Sequence, residues 1–399
     1  YLHLSVCVCS SGVNKPNNAY RMMKKQHVVT AVLSGFLCNM TFAQTERPTV
    51  FAPQSERPLI TEVSVHTPPT QGLTGRHIAL WQSHGRYYER TLDRWEWQRA
   101  RLLQTVEDLY TQSYVLPYLV PMLEDAGANV LLPRERDWNK HEVVVDNDGN
   151  TLAPYAHYAE RNGRASWKRG DGAGFAYNRT VYTDFQNPFR EGTYRIISSL
   201  KKGKESTAEW IPNVPETGEY AVYISYKTVP GSTNAAVYTV RHKGGNSIFK
   251  VNQQMGGGTW IYLGKFVFDK NAGNSQGVSL TNATGKADEW VTADGVKFGG
   301  GMGNIGRPFV SDYPRFTEAA RYWLQWAGVP DSVYSESRGQ NDYTDDYKCR
   351  GLWVNWLAGG SESYPQGEGL NIPIDLSLAF HSDAGTTKND KTIGTLGIY

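Results

Sequence analysis

Two histidines stand at the ends of short apolar runs in this sequence, where side chains that do chemistry tend to collect. His84 closes "HIALWQSHG" and His381 closes "LSLAFH" before "SDAG". In the second run Leu376, Leu378 and Phe380 alternate with Ser377, Ala379 and His381, so one face is apolar and the other small, which predicts a half-buried strand. The first run, with its terminal Gly85, predicts a buried strand. Ligands in open α/β sheets gather outside the carboxyl ends of strands, so the two histidines point towards one site. Catalytic zinc takes three protein ligands from His, Glu or Asp and keeps a fourth position for water. The histidines beyond residue 43 are His66, His77, His84, His141, His157, His242 and His381, and carboxylates complete the candidate set. For either histidine taken alone, a hydrogen-bonded structural role is the competing reading.

Several elements must position these groups. In the stretch from Thr105 to Asp137, Tyr110, Tyr114, Tyr118 and Met122 recur every fourth residue, as do Val115, Leu119 and Leu123. That spacing predicts a helix, capped by Gly127 and followed by a strand at Val130 to Leu132. Pro117 and Pro121 lie inside it, each costing ~3 kcal/mol in a helix interior, so a kink or two shorter helices is expected. From about Asp146 to Asn304 the texture changes to short β-rich runs, "EYAVYISYKT", "AAVYTVRHKGG", "IFKVNQQ", "WIYLGKFVF", "GVSLTNA" and "VTADGVKF", separated by Gly, Asn and Asp. Such spacing predicts an antiparallel sandwich. Helical texture returns in "RFTEAARYWLQWAG" and "YKCRGLWVNWLAGG". The expected architecture is an α/β domain, a mixed sheet flanked by helices, interrupted by the sandwich.

The 399 residues, 40% apolar and 20% charged, are enough for at least two ordinary cores. A net charge of +2 without a long basic run leaves no electrostatic footprint for nucleic acid. From Met22 or Met23 onward, Lys24-Lys25, an apolar centre from Val28 to Leu37 and Thr41-Phe42-Ala43 make the pattern of a secretory signal peptide, with cleavage expected near Ala43. Cys38 raises a lipoprotein alternative, against which Phe36 and Leu37 stand where small residues are wanted. No other apolar run reaches the ~20 residues of a spanning helix. Removal of residues 1–43 leaves Cys349 alone, which excludes a disulfide framework and a thiolate zinc site. The chain is expected to be exported, to the periplasm, the cell envelope or the medium.

The arrangement as a whole resembles the zinc-dependent N-acetylmuramoyl-L-alanine amidases of bacterial cell-wall turnover. The residues that carry the likeness are His84 in "QSHG", Glu107 opening "EDLYTQSYVLPYLVPMLEDAG", and Arg134 or Arg136 with Asp137 in "VLLPRERD". Arg350 with Asn355 and His381 in "LAFHSDAG" complete it. The resemblance implies Zn2+ held by His84, Glu107 and His381, with Asp383, Arg350 and Asn355 near the substrate. It implies hydrolysis of the peptidoglycan amide bond by a zinc-activated water of pKa near ~7. The family's general base is a Glu in a segment after this strand, expected beyond Tyr399. The domain expectation is a leader at 1–43, an extended lead-in at 44–74, the amidase-like α/β domain at 75–145 and 305–399, and the inserted sandwich at 146–304.

The insertion also has a likeness. "EYAVYISYKT", "VNQQMGGGTWIYLGKFVF" and "VTADGVKF", within Trp210 to Gly299, resemble the carbohydrate-binding β-sandwich shared by golvesins and xanthan lyases. Trp260, Tyr262 and Trp290 are then the candidate sugar-stacking residues, with filling of the sandwich core as the alternative for each. Nothing resembles the helical toroid such a lyase needs, so β-elimination is not inferred. The second reading of the whole chain is a non-catalytic polysaccharide-binding envelope protein, or a polysaccharide-processing protein of the xanthan-lyase-named kind. Three further stretches complete the pattern. "NDYTDDY" predicts a solvated acidic turn in preference to a calcium site, "GGGMGNIG" an interdomain linker rather than a phosphate loop, and "HGRYYERTLDRWEWQRARLL", dense in aromatics and Arg and either helix or strand, is a candidate lining for a glycan cleft.

Overall fold

The computed structural model describes residues 4–9, 58–64, 72–101, 105–149, 152–153, 155–360, 367–382 and 397–398. The signal-peptide stretch and Asp383 lie outside the described residues. Two sheets form the sandwich. One is antiparallel with six strands, in the order Ile60–Glu62, Gly245–Val251, Ala236–His242, Gly277–Thr281, Thr207–Ile211, His157–Arg161. The other has four, Ile261–Phe268, Gly218–Ile224, Val296–Phe298 and Val143–Val145, again antiparallel. A third, small antiparallel sheet of Trp290–Ala293, Arg195–Ser198 and Lys168–Arg169 lies beside them. Every β-run named from the sequence is a strand. Alternation places Tyr238 and Val240 in the interior, whereas Gly218–Ile224 is buried on both faces from Tyr220 onward.

The mixed sheet runs Gly397–Ile398, Leu4–Cys9, Leu376–Ser382, His77–Gln82, Asn129–Leu131. The last three strands are parallel, and Leu4–Cys9 is antiparallel to Leu376–Ser382. Leu4–Cys9 thus forms a strand where the sequence reading placed a leader; its Leu-Ser-Val-Cys-Val-Cys alternation has the strand period. Ile78 and Leu80 face a cluster with Val115, Leu116 and Val120, against which Leu376, Leu378 and Phe380 pack. That helical cover starts at Glu107, as expected, and is interrupted as the prolines require. It consists of Glu107–Tyr114, a wider turn at Val115–Leu119, and Val120–Asp125, ending before Gly127 with φ +100°.

The sandwich does not have a core of its own. One continuous cluster joins its residues Trp210, Tyr220 and Val296 to Ala79 and Trp95 and to Tyr322, Trp326, Trp353 and Leu357 of the helices Ala320–Trp326 and Asp342–Ala358. Val143–Val145 belongs to the four-stranded sheet and Ile60–Glu62 to the six-stranded one, so sandwich strands lie outside the expected span of 146–304 on its N-terminal side. Buried ion pairs cross the same boundary: Glu135 and Lys297, both fully buried, are 2.8 Å apart.

Two sequence readings are corrected here, and the element type of a third stretch is established. "NDYTDDY" is neither a solvated turn nor a calcium loop. Asp342 is buried and accepts from Arg307 (2.6 Å), Arg321 (3.1 Å) and the Tyr322 hydroxyl (2.6 Å), while Asp345 and Asp346 bond Ser337 and Gln98. The charge run is paid for by arginines distant in sequence. "GGGMGNIG" is packed rather than a free linker: a Cβ on Gly300 would lie 2.3 Å from the Asp137 carbonyl oxygen. "HGRYYERTLDRWEWQ" is a hairpin, Arg86–Glu89 with Arg94–Trp97, whose Tyr88 and Trp95 rings pack on Phe309 and Tyr322.

The start of the His77–Gln82 strand generates a pH prediction. His77 is fully buried, accepts the Leu59 N–H at Nε2 (3.0 Å), and has its pKa pulled down by burial to about 4, against a smaller opposing effect of Asp375. The unfolded chain takes up a proton near pH 6.5 that the native chain refuses, so stability is lost as pH falls from about 6.5 to 4, by on the order of 3 kcal/mol. Denaturant titrations of wild type and His77→Gln across that window should show a shallower acid loss in the variant; parallel curves would refute it.

Candidate metal centre

Local backbone geometry explains how His84 reaches its place. The parallel strand ends at Gln82, Ser83 takes a left-handed φ of +44°, and its N–H donates to the Phe380 carbonyl at 2.6 Å. Gly85 follows because a Cβ there would lie 2.5 Å from the Glu318 backbone. The imidazole is thereby turned towards the first residue of the 107–114 helix, Glu107, and towards His381 on the adjacent strand.

His84, Glu107 and His381 offer ligand atoms that all lie within 4.8 Å of one another. His381 Nδ1 is 3.1 Å and His84 Nε2 3.9 Å from the same oxygen, Glu107 Oε1, and the two rings stand 4.7 Å apart, tilted by 57°. Ser83 Oγ donates to that oxygen (2.9 Å), and Arg99 approaches Glu107 Oε2 at 3.5 Å. His84 Nε2 is buried with no hydrogen-bond partner, the condition of a nitrogen whose partner is a ligand not yet supplied. Burial holds the His84 pKa well below its usual value, with Arg350, His381, Arg99 and Arg134 acting in the same direction. The imidazole is therefore neutral at pH 7, with a proton on one ring nitrogen and a lone pair available on the other. Two imidazoles and a carboxylate are a donor set suited to zinc with an open fourth position.

The remaining predicted site residues divide. Arg350 is brought to the site: Nη1 donates to the Ser83 carbonyl (2.8 Å), Nη2 lies 3.2 Å from His84 Nδ1, and the guanidinium is buried. It holds the histidine turn. Asn355 is not brought there. Five residues on from Arg350 in one helix it points to another side and is exposed. Arg134 is the arginine of "VLLPRERD" that matters here, donating to the carbonyls of Gln82 (2.8 Å), His84, Glu318 (2.9 Å) and Phe316 (3.1 Å). Arg136 instead pairs with Glu124 (2.7 Å) and covers the Tyr262 ring, and Asp137 accepts the Ala221 N–H (2.7 Å) in the sandwich.

Sequence reasoning missed Ser83, Arg99 and Asp108. Ser83 stood inside the quoted motif, and its left-handed turn was the missing signal. Arg99 follows a hairpin that had not been resolved as one. Asp108, next to Glu107, is fully buried with both carboxyl oxygens lacking hydrogen-bond partners, and burial raises its pKa to about 7.

Of the sugar-stacking candidates, Trp260 is in the core, its ring 4.7 Å from Phe175 and 5.2 Å from Phe189, and Tyr262 has its face covered by Arg136 at 3.9 Å. Trp260 is thus buried, as the core-filling alternative had it, while Tyr262 is partly buried. Trp290 remains, 43% exposed at the edge of the three-stranded sheet.

Comparison with known proteins bears on the sandwich. A family model for the golvesin C-terminal domain matches residues 181–300. A curated xanthan lyase from Bacillus sp. (strain GL1) is 33% identical over 130 residues, which are 32% of this chain and 14% of that protein. The chain therefore spans about a seventh of the curated relative it matches. Among solved structures, a Paenibacillus xanthan lyase aligns at 24% identity over 40% of this chain and 13% of that one, with a TM-score of 0.29. A carbohydrate-binding module of the β-sandwich superfamily aligns at 12% identity over 42% and 62%, with a TM-score of 0.21. Neither structural likeness carries weight at those scores. The golvesin-type resemblance of the insertion is thus supported, and the chain is a mostly sheet protein with an antiparallel sandwich. The amidase assignment is corrected: the curated relative is a xanthan lyase, so hydrolysis of the N-acetylmuramoyl-L-alanine bond is withdrawn as the activity of this chain. Among the described residues no helix is long and apolar enough to cross a membrane.

Arg134→Met should unfold at markedly lower urea than wild type, by about 3 kcal/mol or more, because several buried carbonyls lose their donor at once. A loss below about 1 kcal/mol would show that the His84 turn does not depend on it.

Proposed function

We propose that this chain is an exported polysaccharide-binding protein whose golvesin-type sandwich engages the glycan and whose mixed sheet carries a zinc centre at His84, Glu107 and His381. The observation that carries the glycan half is the 33% identity to a xanthan lyase over a length close to that of the matched sandwich family. Trp290, an exposed ring on an edge strand, is the stacking residue this reading selects. The metal half is supported by the convergence of three ligand atoms from positions 84, 107 and 381 and by the unpartnered His84 Nε2. When bound there, zinc supplies a Lewis-acidic charge.

The chain's own residues prepare that site. Ser83 and Arg99 orient the Glu107 carboxylate, and Arg134 and Arg350 fix the turn bearing His84. A neutral imidazole ligating through Nε2 carries its proton on Nδ1, the atom that faces Arg350. Zinc binding on this reading therefore requires the Arg350 Nη2 to turn aside, which sets a limit on affinity.

Two measurements test the halves separately. Elemental analysis of the purified chain should give about one zinc per chain, lost in His381→Ala; no zinc in the wild type would sink the metal centre. In affinity electrophoresis through gels of acidic and neutral polysaccharides, at least one glycan should retard the chain, and Trp290→Ala should weaken that retardation several-fold. Free migration in every gel would remove the glycan half.

A further inference from the structure

The turn that leads into Trp290 is bonded to a loop rich in lysine. Trp290 pairs with Ser198 across the three-stranded sheet, and beyond Ser198 the chain runs through Ser199 and Leu200 into Lys201-Lys202-Gly203-Lys204. The two stretches are tied along their length. The Ser199 N–H donates to the Glu289 carbonyl (2.8 Å), the Glu289 N–H to Ser199 Oγ (3.1 Å), the Leu200 N–H to the Asn282 carbonyl (2.7 Å), and the Gly285 N–H to the Leu200 carbonyl (3.3 Å). On the other flank the Arg164 N–H donates to the Lys204 carbonyl (2.9 Å). Gly203 turns the loop at φ +128°, a conformation that favours glycine. Indole and loop therefore belong to one surface of fixed backbone.

The charge on that surface is not balanced. Arg164, Lys201, Lys202, Lys204 and Lys286 are exposed, and the carboxylates among them are Glu205, Asp288 and Glu289, so five cations stand against three anions, an excess of two. Glu289 answers Lys286 (3.6 Å), and Glu205 accepts from the Thr281 hydroxyl (2.5 Å). The next carboxylate along the six-stranded sheet, Glu209, already has Arg161 (3.2 Å) and Arg241 (3.6 Å). Arg164, Lys201, Lys202 and Lys204 form no ion pair with any described residue. Three ammonium groups within four residues repel one another, and a partner with repeated negative charge relieves that repulsion. Trp290 adds an exposed ring suited to the apolar face of a sugar, so the two features together favour a charged glycan over other polyanions.

We propose that Trp290 and the 201–204 loop form one binding surface for acidic polysaccharides, the indole stacking on a sugar and Lys201, Lys202, Lys204 and Arg164 pairing with carboxylates of the glycan. The proposal rests on the glycan reading of Trp290 above and adds the class of glycan. The test compares polygalacturonate with dextran on the full chain in wild type, in Lys201→Gln/Lys202→Gln/Lys204→Gln, and in Lys140→Gln/Lys250→Gln/Lys270→Gln, which removes the same charge from exposed positions elsewhere. Polygalacturonate should bind the wild type more tightly than dextran, lose at least tenfold in the loop variant and less than twofold in the other, and weaken with added salt. Undiminished binding in the loop variant, equal losses in the two variants, or binding of dextran alone overturns the proposal while the polysaccharide reading stands. Equal affinity for a DNA duplex or for phosphatidylglycerol vesicles, lost in the same loop variant, also overturns it, because the loop would then read charge alone. Failure of the wild type to bind any polysaccharide overturns both.

Discussion

The guanidinium of Arg134 is the interaction on which the arrangement turns. It is fully buried, its pKa lowered by burial to about 10, and its bonds end on carbonyls from two distant parts of the chain. Gln82 and His84 lie at the exit of the central parallel strand, and Phe316 and Glu318 at the approach to the later helices. A buried cation is costly unless its donors are satisfied, so the carbonyls must stay where they are for the charge to be tolerated. Asp108 and Asp346 supply the compensating negative charge. The placement of His84 follows from this requirement, because its carbonyl is one of the acceptors.

What the sequence disclosed was what local periodicity can encode. Strand alternation located the sandwich strands, and the alternation of Leu376, Leu378 and Phe380 marked the face of the His381 strand that packs on the helical cover, although the small face with Ser377 and Ala379 is the more deeply buried. Spacing of four, with Pro117 and Pro121, gave an interrupted helix, and the amidase resemblance gave its start at Glu107. What stayed hidden depends on partners far along the chain. The acidic run at Asp342, Asp345 and Asp346 looks solvated until Arg307 and Arg321 are seen around it. The sharing of one core by sandwich and helices has no local signature, since Trp326 and Trp353 would read the same way in a core of their own.

The site was legible to a similar degree. His84 and His381 converge as their strand-end positions implied, and Glu107 joins them as the amidase resemblance implied. Asn355 does not join them, because five residues of helix turn it away from Arg350. Trp260, Tyr262 and Trp290 could not be told apart by type or spacing. A ring packed on Phe175, a ring under Arg136 and a ring facing solvent differ only in their tertiary neighbours.

The depth of sequence separating the three ligand positions governs when the site comes into being. His84 and Glu107 emerge early in synthesis, whereas the strand with His381 follows only after the whole sandwich has been made. A nascent chain holding the first two has only part of the proposed donor set. If the proposed centre holds a metal, its acquisition is thereby deferred to the completed molecule, since the donor set is whole only there.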